Sequence, residues 1–568
     1  MPDDMGSDDI PDANLQEWNM SSKWISLLRP LALLGTFLSG VALAQQPPPQ
    51  YGGQLVYAQS GEKFTLFMGR NTDQSAQDVW LNACETLVDM NEKNEIMPLL
   101  AKSWTVSADL KKVTFKLQEG VKFHDGTPFN AEAAAFVFNE AKEKKFIYIS
   151  LLEGFQKATV DAEYEMSFHL EAPFAALLPT LGYRPLCIFS PTAYKTKGEA
   201  GLAIQVVGTG PFVHTKYVKG EYTLFEKNKD YWQKGKPYFD SIKIIIVPDA
   251  ATRTAMLERG EIDRTVQLGD LDLTRLEKNK NIYVRTVPST RQFYVVLNHL
   301  VAPMNDPKFR TALNYAIDKA GIVESVFAGR GAALMKAPTM TDGVVAFTDM
   351  RQPGEDTIFP YNVAKAKALL KEAGYEVRDS DGFLKDAKGQ RLRLKLWTPR
   401  GVTNGDYQVA QLVQTFLTQL GIGVDLTVME SAAFSSAMNQ APADAKYDMA
   451  LLSWGIPTAD PDQPMMYFTH TRAWKPVGAN RMFFSDAEID RIADLAHVEI
   501  DEAKRKEYVR QWMARLLVQA PVIYLPTLNL SLAGRSYLKG DQILAVDNYP
   551  AHFGWFDKAE MERQGVRR

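Results

Sequence analysis

Cysteine is nearly absent: Cys84 and Cys187 are the whole complement of a 568-residue chain. A disulfide framework of the kind that staples small secreted domains is therefore excluded, and so is a Cys-based zinc site. One bridge between the two is permitted in an oxidising compartment, but burial as free thiols is the commoner fate and is the expectation here. Histidine is scarce as well. None of the seven, His124, His169, His214, His299, His470, His497 and His552, falls in an H-E-x-x-H or other close metal-ligand spacing, so no metal and no cofactor is called for. Neither a G-x-S-x-G elbow nor a Walker phosphate loop occurs, which removes common signatures of hydrolase and nucleotide chemistry. His124-Asp125-Gly126 reads as a turn ending a strand. Gly208-Thr209-Gly210-Pro211 leads into strand-like FVHTKYV rather than the helix a phosphate cradle needs. Charge of one sign is not in excess either: 64 Lys and Arg face 68 Asp and Glu, without a basic block. Nucleic acid is excluded as a partner on that ground.

What is present is ordinary for a globular protein, with 46% hydrophobic, 11% aromatic and 23% charged residues. The length suffices for roughly three or four domain-sized units. Only the N-terminus departs from this pattern. Residues 31–44, LALLGTFLSGVALA, form an apolar run preceded by Lys23 and Arg29 and closed by Ala42-Leu43-Ala44. The run is too short to span a bilayer comfortably, and the prolines at 47–49 cannot prolong it as a helix. A signal peptide cleaved after Ala44 is expected. Gln45 stands where a lipoprotein signal needs Cys, so the mature chain is expected to be soluble, in a periplasm. The acidic stretch before Met20 does not suit the positive leading segment of a signal, and points to Met20 as the start of translation.

Beyond the signal, alternating strands mix with amphipathic helices and no internal repeat occurs, which predicts an α/β or α+β assembly. VTFKL (113–117), EMSFHL (165–170) and YTLFE (222–226) alternate as half-buried strands, and KIIIV (243–247) reads as buried on both faces. Leu392, Leu394 and Leu396 share one face of RLRLKLW (391–397). Asp306-Pro307 opens a helix with Phe309, Ala312, Leu313 and Ala316 on one side. Val363, Ala366, Leu370 and Ala373 form a stripe stopped by Gly374, and Ser485 with Glu488 forms a capping box. Residues 407–420 form a helix ended by Gly421, before a strand running through Ile422, Val424, Leu426 and Val428.

Several segments, taken in order, are similar to the periplasmic solute-binding proteins of ABC importers, specifically family 5, which binds di- and oligopeptides, nickel complexes and related solutes. They are EGVKFHDGTPFNAEAAAFVFNEA (119–141), GTGPF (208–212), NKDYWQKGKPYFDSIKIIIVPD (228–249) with GEID (260–263), NDPKFRTALNYAIDK (305–319), FPYNVAKAKALLKEAGY (359–375) and the run from YDMALLSWG to ADP (447–461). The resemblance spans nearly the whole mature chain. It implies an α/β, periplasmic binding protein type II-like fold, two lobes joined by a hinge, with an additional third domain. Domain I would comprise residues 45–82, 208–288 and 527–568, domain II the insertion 83–207, and domain III residues 289–526. Such a clamp captures solute by closing over it, and needs no bond-making chemistry. No catalytic residue is therefore assigned. The implied partners are a small solute, peptide or peptide-like, and an ABC permease in the inner membrane, with the receptor a monomer.

In peptide-binding members of the family, the ligand's amino group is held by the Asp of a W-x-x-D-x-x-D/E-P pattern. Here Trp454 opens that pattern but Pro457 stands at the Asp position, leaving Asp460 as the nearest carboxylate. Unmodified short peptides are then expected to bind no better than acetylated ones, unless Asp460 or another carboxylate takes over. Trp397 and Arg400 sit in a loop at a strand's C-terminal end, suited to stacking on a solute and gripping a carboxylate. Arg291 and Tyr294 fall at an expected lobe crossing and complete the candidate ligand set. Met465, Met466 and Tyr467 are read as an apolar pocket or, more commonly, core; Phe136, Val137 and Phe138 as core. With the amine-binding Asp lost, a metal chelate, an oligosaccharide or an opine-like compound remains an alternative solute. A secreted hydrolase or a periplasmic chaperone is the alternative of another class.

Overall fold

The computed structural model describes residues 48–61, 65–71, 74–386, 388–400, 402–546 and 549–566. The signal-like run, Met20, Ala44 and Gly401 lie outside these. Among the described residues, an eleven-stranded mixed sheet organises the chain. Its order is Gly423–Met429, Arg393–Pro399, Met449–Trp454, Ile282–Leu297, Val522–Arg535, Arg264–Val266, Gln54–Gln59, Ser241–Ile246, Tyr222–Lys227 and Phe212–Val218, with Ala332–Ala333 added beside Val522–Arg535.

The two long central strands join the half of the sheet next to Met449–Trp454 to the half next to Arg264–Val266. Ile282 pairs with Arg535 and, further along, Val296 with Val522, in antiparallel register. The register slips between Pro288 and Gln292 and again before Tyr294. Pro288 has no N–H to donate, and Pro526 lacks one on the partner strand, so the ladder is weakest here.

Alternation decides which face each side chain joins. Phe293, Val295 and Leu297 point into a core with Leu394, Leu396, Leu451 and the helix Asp406–Leu420. Tyr294 and Val296 point the other way, into a core with Ala450, Trp512 and Tyr524. A third core gathers Leu55, Trp80, Phe225 and Ile244 with Phe115, Phe138 and Phe168. The last three belong to a separate layer, an antiparallel sheet ordered Ala101–Val106, Lys112–Leu117, Glu165–Leu170, Phe155–Ala162 and covered by helix Ala131–Glu143. Val137 and Phe138 are core there, as their spacing predicted, whereas Phe136 is only partly buried.

Most local signals are met. Asp306 caps helix Pro307–Ala316 by accepting from Lys308 N, Gly374 and Gly421 follow their helices with φ of 87° and 96°, and Gly126 turns at φ 83°. Three readings are corrected. Cys84 and Cys187 are disulfide-bonded, with Cα atoms 5.7 Å apart; the fold brings the end of helix Gln74–Ala83 against residue 187, which no local signal records. The helix Ala487–Val498 is capped by Asp486, whose Oδ1 accepts from Glu488 N and Ile489 N, while Ser485 pairs with Thr471. Both residues are capping types, and the shorter reach of Asp486 to two amides wins. Finally, strand Ser241–Ile246 buries Ile242 and Ile244 fully, whereas Ile245 and Ile246 are only half-buried, because its second face is covered incompletely.

Beside the disulfide, Glu85 is buried in a ring of donors: Thr209 Oγ1 at 2.7 Å, Tyr231 OH at 2.8 Å and Trp232 Nε1 at 3.1 Å. Burial pushes its carboxyl up to about 7, against the lowering effect of these hydrogen bonds.

Candidate ligand-binding site

Loops that follow the strands of the large sheet enclose a cavity of about 660 Å³. One wall comes from Ser60 after Gln54–Gln59, Pro248 after Ser241–Ile246, and Gln267 through Asp270 after Arg264–Val266. The opposing wall comes from Arg291, Ser453 and residues 402–404 after Arg393–Pro399. Open α/β sheets place ligands at such strand ends, where backbone groups leave the ladder and can meet a solute. A smaller cavity of about 220 Å³ shares Ser60, Gln267 and Tyr549 with it.

Arg253, 1% exposed, organises the first wall. Its guanidinium donates to the carbonyls of Val247, Pro248 and Gln267, each at 2.7 Å. Its charge is thus spent on pinning two loops together. Ser60 Oγ donates to Gln267 Oε1 at 2.5 Å, closing the rim. On the other wall, Thr403 Oγ1 and Ser453 Oγ are bonded at 2.5 Å, which ties the 402–406 loop to strand Met449–Trp454. Thr290 joins three segments at the crossing: its N–H donates to Ala545 O, and its hydroxyl accepts from Ile456 N.

Of the residues singled out in the sequence, Arg291 lines the cavity. Gly455 lies alongside it: a Cβ built there would sit 3.5 Å from Arg291 Nη2, in ordinary van der Waals contact. Parity places the others elsewhere. Arg291 and Ser453 share the sheet face of Phe293 and Leu451, whereas Tyr294, Trp397 and Trp454 pack with the core on the opposite face. Tyr294 is 3% exposed with its ring 4.9 Å from Phe468, and Trp454 stacks on the same Phe468 at 5.3 Å. Trp397 lies 5.4 Å from Tyr447. Arg400 is exposed, its guanidinium 4.1 Å over the Tyr407 ring. Asp460 is buried in an ion pair with Arg505. Met465 and Met466 are core, Tyr467 is exposed, and Met466 and Tyr467 also line a separate cavity of about 440 Å³.

Sequence reasoning missed Gln267, Asp270, Asn404 and Tyr549. The first two come soon after the GEID segment, and for Gln267 a polar group just past the short buried strand Arg264–Val266 was the available signal. Tyr549 carried none, because its loop reaches the cavity only through the fold.

Residues 95–476 match the family described as bacterial extracellular solute-binding proteins, family 5. The chain belongs to this family. The glutathione-binding protein GsiB of Escherichia coli (strain K12) is 28% identical over 517 residues, covering 90% of this chain and 96% of that protein. Among solved structures, the periplasmic binding protein DppA from Helicobacter pylori, in complex with the peptide STSA, superposes with a TM-score of 0.73 at 24% identity, covering 89% of this chain and 99% of that one. NikZ from Campylobacter jejuni, in complex with Ni(L-His), gives a TM-score of 0.71 at 22% identity, covering 86% and 95%. The fold is accordingly the α/β, type II-like binding-protein fold, two lobes joined by a hinge with an additional domain. Family members are solute-binding receptors that work outside the cytoplasm, and this chain is a binding protein and not an enzyme. No helix among the described residues is long and apolar enough to cross a membrane.

Proposed function

We propose that this protein is the receptor of an ABC importer that captures a peptide or peptide-like solute carrying a carboxylate, and delivers it to a permease in the inner membrane. The observation that carries this reading is the cavity of about 660 Å³ with Arg291 on its wall. Its volume falls in the range of about 300–1,000 Å³ usual for small-molecule sites. Asn404, Asn529 and Ser531 add polar groups for an amide backbone. Arg291 supplies a fork of donors matched to a carboxylate. Similarity to a glutathione-binding and a peptide-bound protein supports this class of solute.

The protein acts as a monomer in the periplasm after cleavage behind Ala44. Its lobes divide as the resemblance implies, with residues 45–82, 208–288 and 527–568 in domain I, 83–207 in domain II and 289–526 in domain III. The separate antiparallel sheet within the 83–207 insertion and the interrupted ladder near Pro288 are consistent with that division.

A second reading, capture of a metal chelate, is favoured by the similarity to nickel-histidine-bound NikZ. Among the described residues no group of three or more His, Cys, Asp or Glu side chains is placed to hold a metal ion, so the metal would enter within an organic ligand. Native mass spectrometry of protein purified without denaturation separates the two by the mass of the retained solute. Calorimetry with glutathione and trialanine then tests the peptide reading: micromolar or tighter binding without turnover supports it, and absence of binding to both removes it.

A further inference from the structure

The carboxylate of Asp270 lines the cavity, and no described residue is bonded to it. Asp270 is partly buried on the wall facing Arg291's wall, and the hydrogen bond that reaches this residue, from Thr274 Oγ1 at 2.9 Å, goes to its backbone carbonyl. Its oxygens lie against Gly331, where an added Cβ would overlap Oδ2, so the space it occupies exists because residue 331 has no side chain. The cation whose charge acts on it, Arg330, directs Nη1 to Glu277 at 2.9 Å and Nη2 to Thr286 Oγ1 at 3.0 Å. Partial burial holds this carboxylate above its ordinary pKa, and Arg330's charge opposes the rise. What such a group binds best is a cation that enters the cavity with the solute.

We propose that Asp270 receives the ammonium group of a zwitterionic solute whose carboxylate lies on Arg291. The assignment rests on the peptide-receptor reading given above, and narrows it to solutes with a free amine. Among the described residues lining the cavity, Asp270 is the one with a carboxylate. Asp460 is closed by Arg505, and position 457 is proline. Asp270 thus supplies from the opposite wall the charge that Pro457 cannot, and the expectation that free and acetylated peptides bind alike is reversed.

The test is calorimetry on the exported protein with trialanine, N-acetyl-trialanine and glutathione. Free trialanine is expected to bind about 10- to 100-fold more tightly than its acetylated form, the factor associated with one hydrogen bond to a charged group. In Asp270→Asn that gap should close, with the acetylated peptide's affinity nearly unchanged. Gly331→Ala, which displaces the carboxylate and keeps its charge, should also close it; both variants are checked by melting temperature. Equal affinity of the two peptides for the unaltered protein, or a gap that survives in both variants, overturns the role of Asp270 and leaves the peptide receptor standing. Failure of trialanine and glutathione alike to bind overturns both.

Discussion

Asp460 and Arg505 close on each other in the interior: Arg505 Nη1 and Nη2 donate to the two carboxylate oxygens at 2.8 and 2.6 Å, and Asp460 is 1% exposed. Asp460 Oδ1 also accepts from Asp462 N at 2.8 Å. The carboxylate therefore fixes the turn after Trp454. Asp460→Asn leaves a buried guanidinium without its counter-charge, which costs about 3–5 kcal/mol. Denaturant unfolding should register that loss, while the affinity ratio of free to acetylated trialanine stays as in the unaltered protein. A changed ratio with unchanged stability would return Asp460 to the ligand.

The Cys84–Cys187 bridge closes a long loop, since the two lie 103 residues apart. Restricting the unfolded chain in this way stabilises a protein by about 2–4 kcal/mol. Cys84→Ser with Cys187→Ser is expected to lower the denaturation midpoint accordingly. Unaltered protein under dithiothreitol should match the double variant, and equal midpoints with and without the bridge would contradict its structural role.

Glu85 makes stability depend on pH. Its carboxyl titrates near about 7 when folded, against an ordinary value of 4.5. The folded chain therefore keeps a proton that the unfolded chain releases, and stability contributed below about pH 4.5 is lost as pH rises to about 7, on the order of 3 kcal/mol in total. Melting curves at pH 5 and pH 8 measure this. Glu85→Gln cannot titrate, so its melting temperature should change less between the two. An identical pH dependence in the variant would show that Glu85 is ionised throughout.

The slipped register between Pro288 and Tyr294 is the expected pivot of lobe closure. Small-angle scattering on the protein with and without glutathione should show a smaller radius of gyration in the bound form, with each lobe unchanged inside. An identical radius at saturation would count against closure.

Much of the local structure is readable in the sequence, because periodicity records which face of an element is buried. Leu392, Leu394 and Leu396 predicted their strand and its core side, and Asp306-Pro307 predicted the start of its helix. The same alternation also sorts the candidate site, once a reference face is known: Arg291 and Ser453 fall on one side, Trp397, Trp454 and Tyr294 on the other. That reference face is a property of the assembled sheet. Nothing within residues 391–400 states which side of it borders a cavity.

The chain by itself therefore determined many of the elements, several of their caps, the family and the class of function, since these depend on neighbours in sequence and on motifs that survive as short strings. Only the tertiary structure decided which charges are spent and which are available. Arg253 pins loops, Asp460 is held by Arg505, and Asp270 is left facing a cavity opposite Arg291. Each of these outcomes depends on groups brought together by packing of remote segments. The energy of a charge is set by that surrounding, by its distance from water and from an opposite charge, and not by its place in the chain.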